Sequence, residues 1–164
     1  MKNKASIYFL IFLLFGCDSK KDSNSSFVNQ NLDSLIVSSF NKGDDESYVE
    51  CSILLDYYND KEKLFFYSMV YGNKFNNPYA YFNSYLGLNK DSLQEIKSSI
   101  ISDDPVTKSF SLYFLLRAHE TLTKSDSVEI KESIKNEIIK NFNSTEGLPN
   151  SEDFLLMELK KWKK

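Results

Sequence analysis

The side chains able to do chemistry are few and widely spaced. His119 is the only histidine, so neither a histidine metal cluster nor a pair of imidazoles can form. Between Ala118 and Glu120, in a helical stretch, it reads as a surface or partly buried helix residue. Cys51 lies among Val49, Ile53 and Leu54, the setting of a small buried hydrophobe rather than a nucleophile. The acids come in clusters. Asp44-Asp45-Glu46 and Asp103-Asp104 fall where helices should begin, and there carboxylates cap free N–H groups and oppose the helix dipole. Asp56, Asp60 and Glu62 lack the alternating ligands and central glycine of a calcium loop. Five scattered Gly cannot build a phosphate cradle. These residues predict no catalytic group, no metal and no cofactor. The alternative from another class is an enzyme working through an Asp or Glu pair.

Composition narrows the classes further. A chain of 164 residues has room for one small domain. Apolar residues at 41%, with 13 Phe and 10 Tyr, supply a real core. Only 5 Gly and 3 Pro favour helices over a turn-rich β-sandwich. Two Cys exclude a disulfide-stapled mini-protein and a four-Cys zinc site. The balance of 20 Lys+Arg against 23 Asp+Glu, net −3, argues against a nucleic-acid partner, which needs a clustered basic surface. The basic end Lys160-Lys161-Trp162-Lys163-Lys164 reads as charge placed at a helix C-terminus, where it favours the dipole.

The N-terminus carries an address. Lys2 and Lys4 precede an apolar run, Ala5 to Phe15, which is far shorter than the roughly 20 residues that cross a bilayer. It has the length of a signal-peptide h-region. Leu14-Phe15-Gly16-Cys17 then resembles a bacterial lipobox, although Phe15 is bulkier than the residue usual before the glycine. The resemblance implies cleavage before Cys17 and lipid attached to it. The expected organisation is a signal peptide over 1–16, a lipidated flexible tether over 17–28 and a single all-α domain over 29–164. Cleavage would remove two Lys and no acid, leaving 18 Lys+Arg against 23 Asp+Glu, net −5. Two or more acyl chains hold a protein stably at a membrane, each buried methylene contributing about 0.8 kcal/mol. The polar stretch Asp18–Ser26 is similar to the segment after the cysteine in surface lipoproteins of Bacteroidetes-type bacteria. That likeness implies the cell envelope, at the outer membrane.

Beyond residue 29 the apolar spacing is helical. Asn31 or Asp33 is placed to cap a short helix through Leu35, Ile36 and Phe40, ending at Asn41-Lys42-Gly43. A second helix follows Asp44 and carries Val49, Ile53, Leu54, Tyr57 and Tyr58. Asp60 opens a third, striped by Leu64, Tyr67, Tyr71 and Phe75. Asn77-Pro78 starts a fourth with Tyr79, Phe82 and Leu86. Asp91 is placed to cap a short helix with Leu93, Ile96 and Ile100. Asp104-Pro105 opens a long helix to about Leu122, with Val106, Phe110, Tyr113 and Leu116 as its core. Ser125 or Asp126 starts the amphipathic run of Ile130, Ile134 and Ile138. Ser151-Glu152-Asp153 opens the last helix, with Leu155, Leu159 and Trp162. The fold class is all-α, in antiparallel hairpins.

Two hairpins look alike. Leu64-x-x-Tyr67 and Phe110-x-x-Tyr113 stand 46 positions apart in the sequence. The stretch Leu64–Leu88 resembles a Sel1-like or tetratricopeptide-like repeat through Tyr67, Tyr71-Gly72-Asn73, Pro78-Tyr79-Ala80-Tyr81 and Tyr85-Leu86-Gly87. Tyr113 and Arg117-Ala118 continue the pattern, without a following turn glycine. Repeats of this kind imply a turn at Gly72-Asn73 and protein binding on paired helices.

Aromatic residues crowd the stretch from Tyr57 to Tyr85. They either fill a core or line an exposed groove, where Tyr67, Tyr71, Tyr81 and Tyr85 would serve as partner contacts. The expected function is a non-enzymatic protein-interaction module tethered to the membrane through its N-terminal lipid. Alternatives are an immunity or inhibitor lipoprotein that neutralises a toxin or hydrolase, and a glycan-binding lipoprotein using the Tyr surface.

Overall fold

Helices start in this chain where a short polar side chain can hold the first free backbone N–H groups. The computed structural model describes residues 23–89 and 102–162, and among them the chain forms seven helices and no strand. They are α1 (Ser23–Lys42), α2 (Asp45–Tyr57), α3 (Lys61–Phe75), α4 (Pro78–Leu88), α5 (Pro105–Thr121), α6 (Val128–Phe142) and α7 (Ser151–Lys161). Asp44, Asp60, Asn77 and Asp104 cap α2 to α5 as the sequence predicts. They accept from the N–H groups of Ser47 at 2.7 Å, Lys63 at 3.1 Å, Ala80 at 2.8 Å and Thr107 at 2.9 Å.

Other boundaries differ from expectation. Helix α1 begins at Ser23, so neither Asn31 nor Asp33 caps it, and the last residues of the expected tether are helical. Once nucleated, a helix lengthens by one hydrogen bond for each residue fixed, so polar residues can extend it outward. Helix α6 is capped by Ser127, whose Oγ accepts from Ile130 N at 3.3 Å. Asp126 is drawn back instead, accepting from Thr123 N at 2.5 Å and Thr123 Oγ1 at 2.9 Å. Asn150 caps α7. Gly72-Asn73 is no turn: Gly72 lies inside α3, where a Cβ would stand 3.0 Å from the Tyr81 ring. The chain turns at Asn76 instead, a left-handed residue with φ 55°. The signal peptide, Cys17 and the expected helix after Asp91 lie outside the described residues.

The helices bury two adjoining cores. In the first, Tyr48 and Cys51 of α2 meet Tyr67 and Tyr71 of α3 beneath α1. In the second, Tyr81 and Tyr85 of α4 meet Phe114 and Leu115 of α5, Ile134 and Ile138 of α6 and Phe154 of α7. Helices α3 and α4 contribute to both cores and form the wall between them. A helix packed on two sides needs apolar residues on two faces, so a single stripe misplaces its core. In α4 the buried residues include Ala80, Tyr81, Ser84, Tyr85 and Leu88, while Tyr79 and Leu86 are only partly covered. In α5, Val106 and Phe110 are exposed, and Ser111, Phe114, Leu115 and Ala118 join Leu116 in the interior. In α7 the buried positions are Ser151 and Phe154, with Leu155, Leu159 and Trp162 half-buried.

Candidate functional site

The tyrosines expected to border a groove are interior. Tyr67 is 5% exposed, Tyr71 0%, Tyr81 0% and Tyr85 1%. Tyr48 stacks on Tyr67 with ring centroids 5.2 Å apart, and its ring lies 4.8 Å from that of Tyr71. A buried phenol is tolerated when its hydroxyl finds a partner, and each of these does. Ser39 Oγ donates to Ile36 O at 2.8 Å, so it is Tyr67 that donates to Ser39, also at 2.8 Å. Tyr71 donates to Asp44 O at 2.8 Å. Tyr48 shares a 2.7 Å bond with Ser68 and accepts from Asn83 Nδ2 at 2.8 Å. Tyr85 donates to Glu137 and accepts from Asn89 Nδ2 at 2.6 Å. Tyr81 accepts from Arg117 Nη2 at 3.1 Å, and that guanidinium lies 5.1 Å from the Tyr81 ring centroid. These four rings are therefore core, and the groove expected of them is not formed.

The remaining reactive groups are likewise built into the fold. Cys51 is fully buried, and burial pushes its thiol above the ordinary range, against the thiolate a nucleophile needs. His119 lies in the last turn of α5, half-buried and away from Cys51 in the other core. Burial first, and the acids Asp44 and Asp45 next, push Tyr71 up to about 12. Among the described residues no group of three or more His, Cys, Asp or Glu is placed to hold a metal ion. No helix among them is long and apolar enough to cross a membrane.

The surface feature that stands apart is the outward face of α2. Its inward face follows helical spacing through Tyr48, Cys51, Ser52 and Leu55. The opposite face repeats the same spacing through Glu46, Glu50, Ile53 and Tyr57, with Val49 half-buried at its margin against the first core, and α2 thus carries apolar residues on both sides. Ile53 is 61% exposed and Tyr57 80%. Sequence reasoning placed Ile53 beside the buried Cys51, yet two positions along a helix turn a side chain to the other flank. Asp45, Glu46, Val49, Glu50, Ile53 and Tyr79 line an open depression of about 580 Å³.

This depression also gathers charge from separate parts of the chain. Asp45 is raised above the usual carboxylate range, chiefly by partial burial and then by the negative charge of Asp126 in the α5–α6 connection. Asn77 Nδ2 donates to Asp45, and Tyr79 Oη beside it accepts from Ser127 N at 3.3 Å. Nothing in the sequence signalled the approach of residues 45 and 126. The depression is open, and acidic and apolar side chains lie side by side in its lining. Comparison with known proteins finds no matching family model, no matching curated protein and no matching solved structure.

Proposed function

We propose that this chain is a non-enzymatic protein-interaction module of the bacterial cell envelope, held to the membrane, at the outer membrane, by lipid on Cys17. The observation that carries the reading is the second apolar face of α2. Ile53 and Tyr57 stand in water on a helix whose other side already fills the core. Exposed aromatic and branched side chains gathered on one face, with acids around them, have the composition of a protein contact. The thiol of Cys51 and the hydroxyls of Tyr48, Tyr67 and Tyr71 are meanwhile taken up in packing and internal hydrogen bonds, which supports a binding reading. The lipobox-like Leu14-Phe15-Gly16-Cys17 supports the anchor.

Two measurements in cells test this reading. Cys17→Ser should abolish labelling with a palmitate analogue and leave the chain unprocessed; normal labelling of that variant overturns the anchor. A photoreactive residue should be placed in turn at exposed positions over the described surface. Discrete protein adducts from a contiguous set of positions are expected, and the absence of adducts from every position overturns the interaction module.

A further inference from the structure

Some carboxylates of the fold have a cation beside them, and those around the outward face of α2 do not. Asp56, Glu120, Glu137 and Glu158 each have a Lys or Arg within 3.7 Å. Asp45, Glu46, Glu50 and Asp126 have no ion-pair partner among the described residues. Asp45 and Asp126 repel one another, and the side chain bridging toward Asp45 is the neutral amide of Asn77. A cation brought from outside would relieve that repulsion.

Apolar positions run through the same patch. Val49, Ile53 and Tyr57 follow one another at single-turn intervals, a row about 12 Å long at 1.5 Å per residue. Such a row matches the apolar stripe of a helix laid alongside it, whose own contact residues recur every three or four positions. The acids then lie where that helix's flanking residues would sit. An anionic lipid surface does not fit, because unpaired carboxylates would be repelled by it.

We propose that the outward face of α2 docks a cationic amphipathic helix of a protein partner. Its apolar side chains cover Val49, Ile53 and Tyr57, and its Lys or Arg side chains reach Asp45, Glu50 and Asp126. The proposal rests on the protein-interaction reading above and names the chemistry of the partner.

The test uses the full chain in phosphatidylcholine nanodiscs, with empty discs as baseline. The probe is a fluorescent synthetic peptide of Leu and Lys in helical amphipathic order, set against a counterpart with Glu for every Lys. Anisotropy should report saturable binding of the Lys peptide only. The double variant Ile53→Ala/Tyr57→Ala and the single variant Glu50→Lys should each weaken it about tenfold or more, as loss of contact hot spots does. Glu132→Lys makes the same charge change on α6, outside the lining of the depression, and should weaken it by less than about twofold, as a screened surface charge does. All these positions are exposed, so unchanged melting curves are expected to accompany the losses.

Equal weakening by Glu50→Lys and Glu132→Lys overturns the proposal in favour of diffuse electrostatics. Binding that survives Ile53→Ala/Tyr57→Ala, or no binding at all, overturns it too. So does sedimentation showing that two copies of the chain already cover this face and separate on Glu50→Lys. If peptide binding fails while photo-adducts persist from another part of the surface, the α2 assignment falls and the interaction module stands. If both fail, the module falls with it.

Discussion

The carboxylate of Glu120 grips both polar groups of Ser151, accepting from its backbone N at 2.6 Å and from its Oγ at 2.7 Å. Glu120 closes α5 and Ser151 opens α7, so one side chain ties the end of one helix to the start of another. Arg117 Nη1 stands 3.5 Å from the same carboxylate and fixes its orientation. Helix α7 is short and buries only Ser151 and Phe154, so this clasp holds a large share of its docking.

Glu120→Ala should therefore loosen α7 more than the rest of the chain. The loss of two hydrogen bonds to a charged acceptor, one from a buried serine, should cost about 1.5–3 kcal/mol. Amide hydrogen exchange checks it: amides of α7 should lose protection first, while those of α2 and α3 keep theirs. Uniform loss across the chain would contradict a local clasp.

Tyr81→Ala and Tyr85→Ala should destabilise the fold by about 3–5 kcal/mol each, the scale for emptying an aromatic position in a core. Tyr67→Ala and Tyr71→Ala should do the same in the first core. Urea melts read this directly. A variant that melts like the parent would return that ring to the surface.

Tyr48→Phe isolates a single hydroxyl. Its removal leaves Ser68 Oγ and Asn83 Nδ2 without their shared partner beneath α2. The expected loss is about 1–3 kcal/mol, the cost of stranding buried polar groups. Tyr57→Phe changes a ring that is 80% exposed and should leave the urea midpoint unmoved.

Cys51 should be inert in the folded protein and reactive once unfolded. Burial holds its thiol above the ordinary range and excludes reagent from it. If Cys17 is acylated as proposed, Cys51 is the remaining thiol, so labelling by a thiol-specific disulfide reagent should follow the unfolding curve. Rapid labelling in native buffer would contradict its place in the core.

Asp45 and Asp104 should give opposite pH dependences. Partial burial, and Asp126 after it, raise Asp45, so the folded chain holds that proton more tightly than the unfolded chain. Its contribution to stability is fully present below the ordinary carboxylate range and is lost as pH rises through the raised value. Hydrogen bonds from Ser102 and Thr107 hold Asp104 well below that range, so its contribution is present above it and lost as pH falls. Asp45→Asn should thus gain on the parent as pH climbs from about 4 toward neutrality, by less than about 1 kcal/mol given its exposure to solvent. Chemical melts across that interval test the sign; a gain that grows toward acid reverses it.

Features that depend on near neighbours in the chain were legible before the fold. A cap joins a side chain to an N–H three positions on, so Asp44, Asp60, Asn77 and Asp104 could be read without knowing what the helices touch. The strict four-residue spacing of Ile134 and Ile138 likewise named the buried side of α6. Which side of α4 and α5 is interior depends instead on how the helices pack together. Both helices are flanked by more than one neighbour, and apolar residues all around them leave periodicity without a preferred face. The same ambiguity hid the α2 surface: Ile53 and Tyr57 look as apolar as Tyr48 and Leu55, and only packing against α1 and α3 separates the two sets. Asp45 with Asp126, and Glu120 with Ser151, are meetings between distant parts of the chain. They exist because helices stack, and no local spacing encodes them.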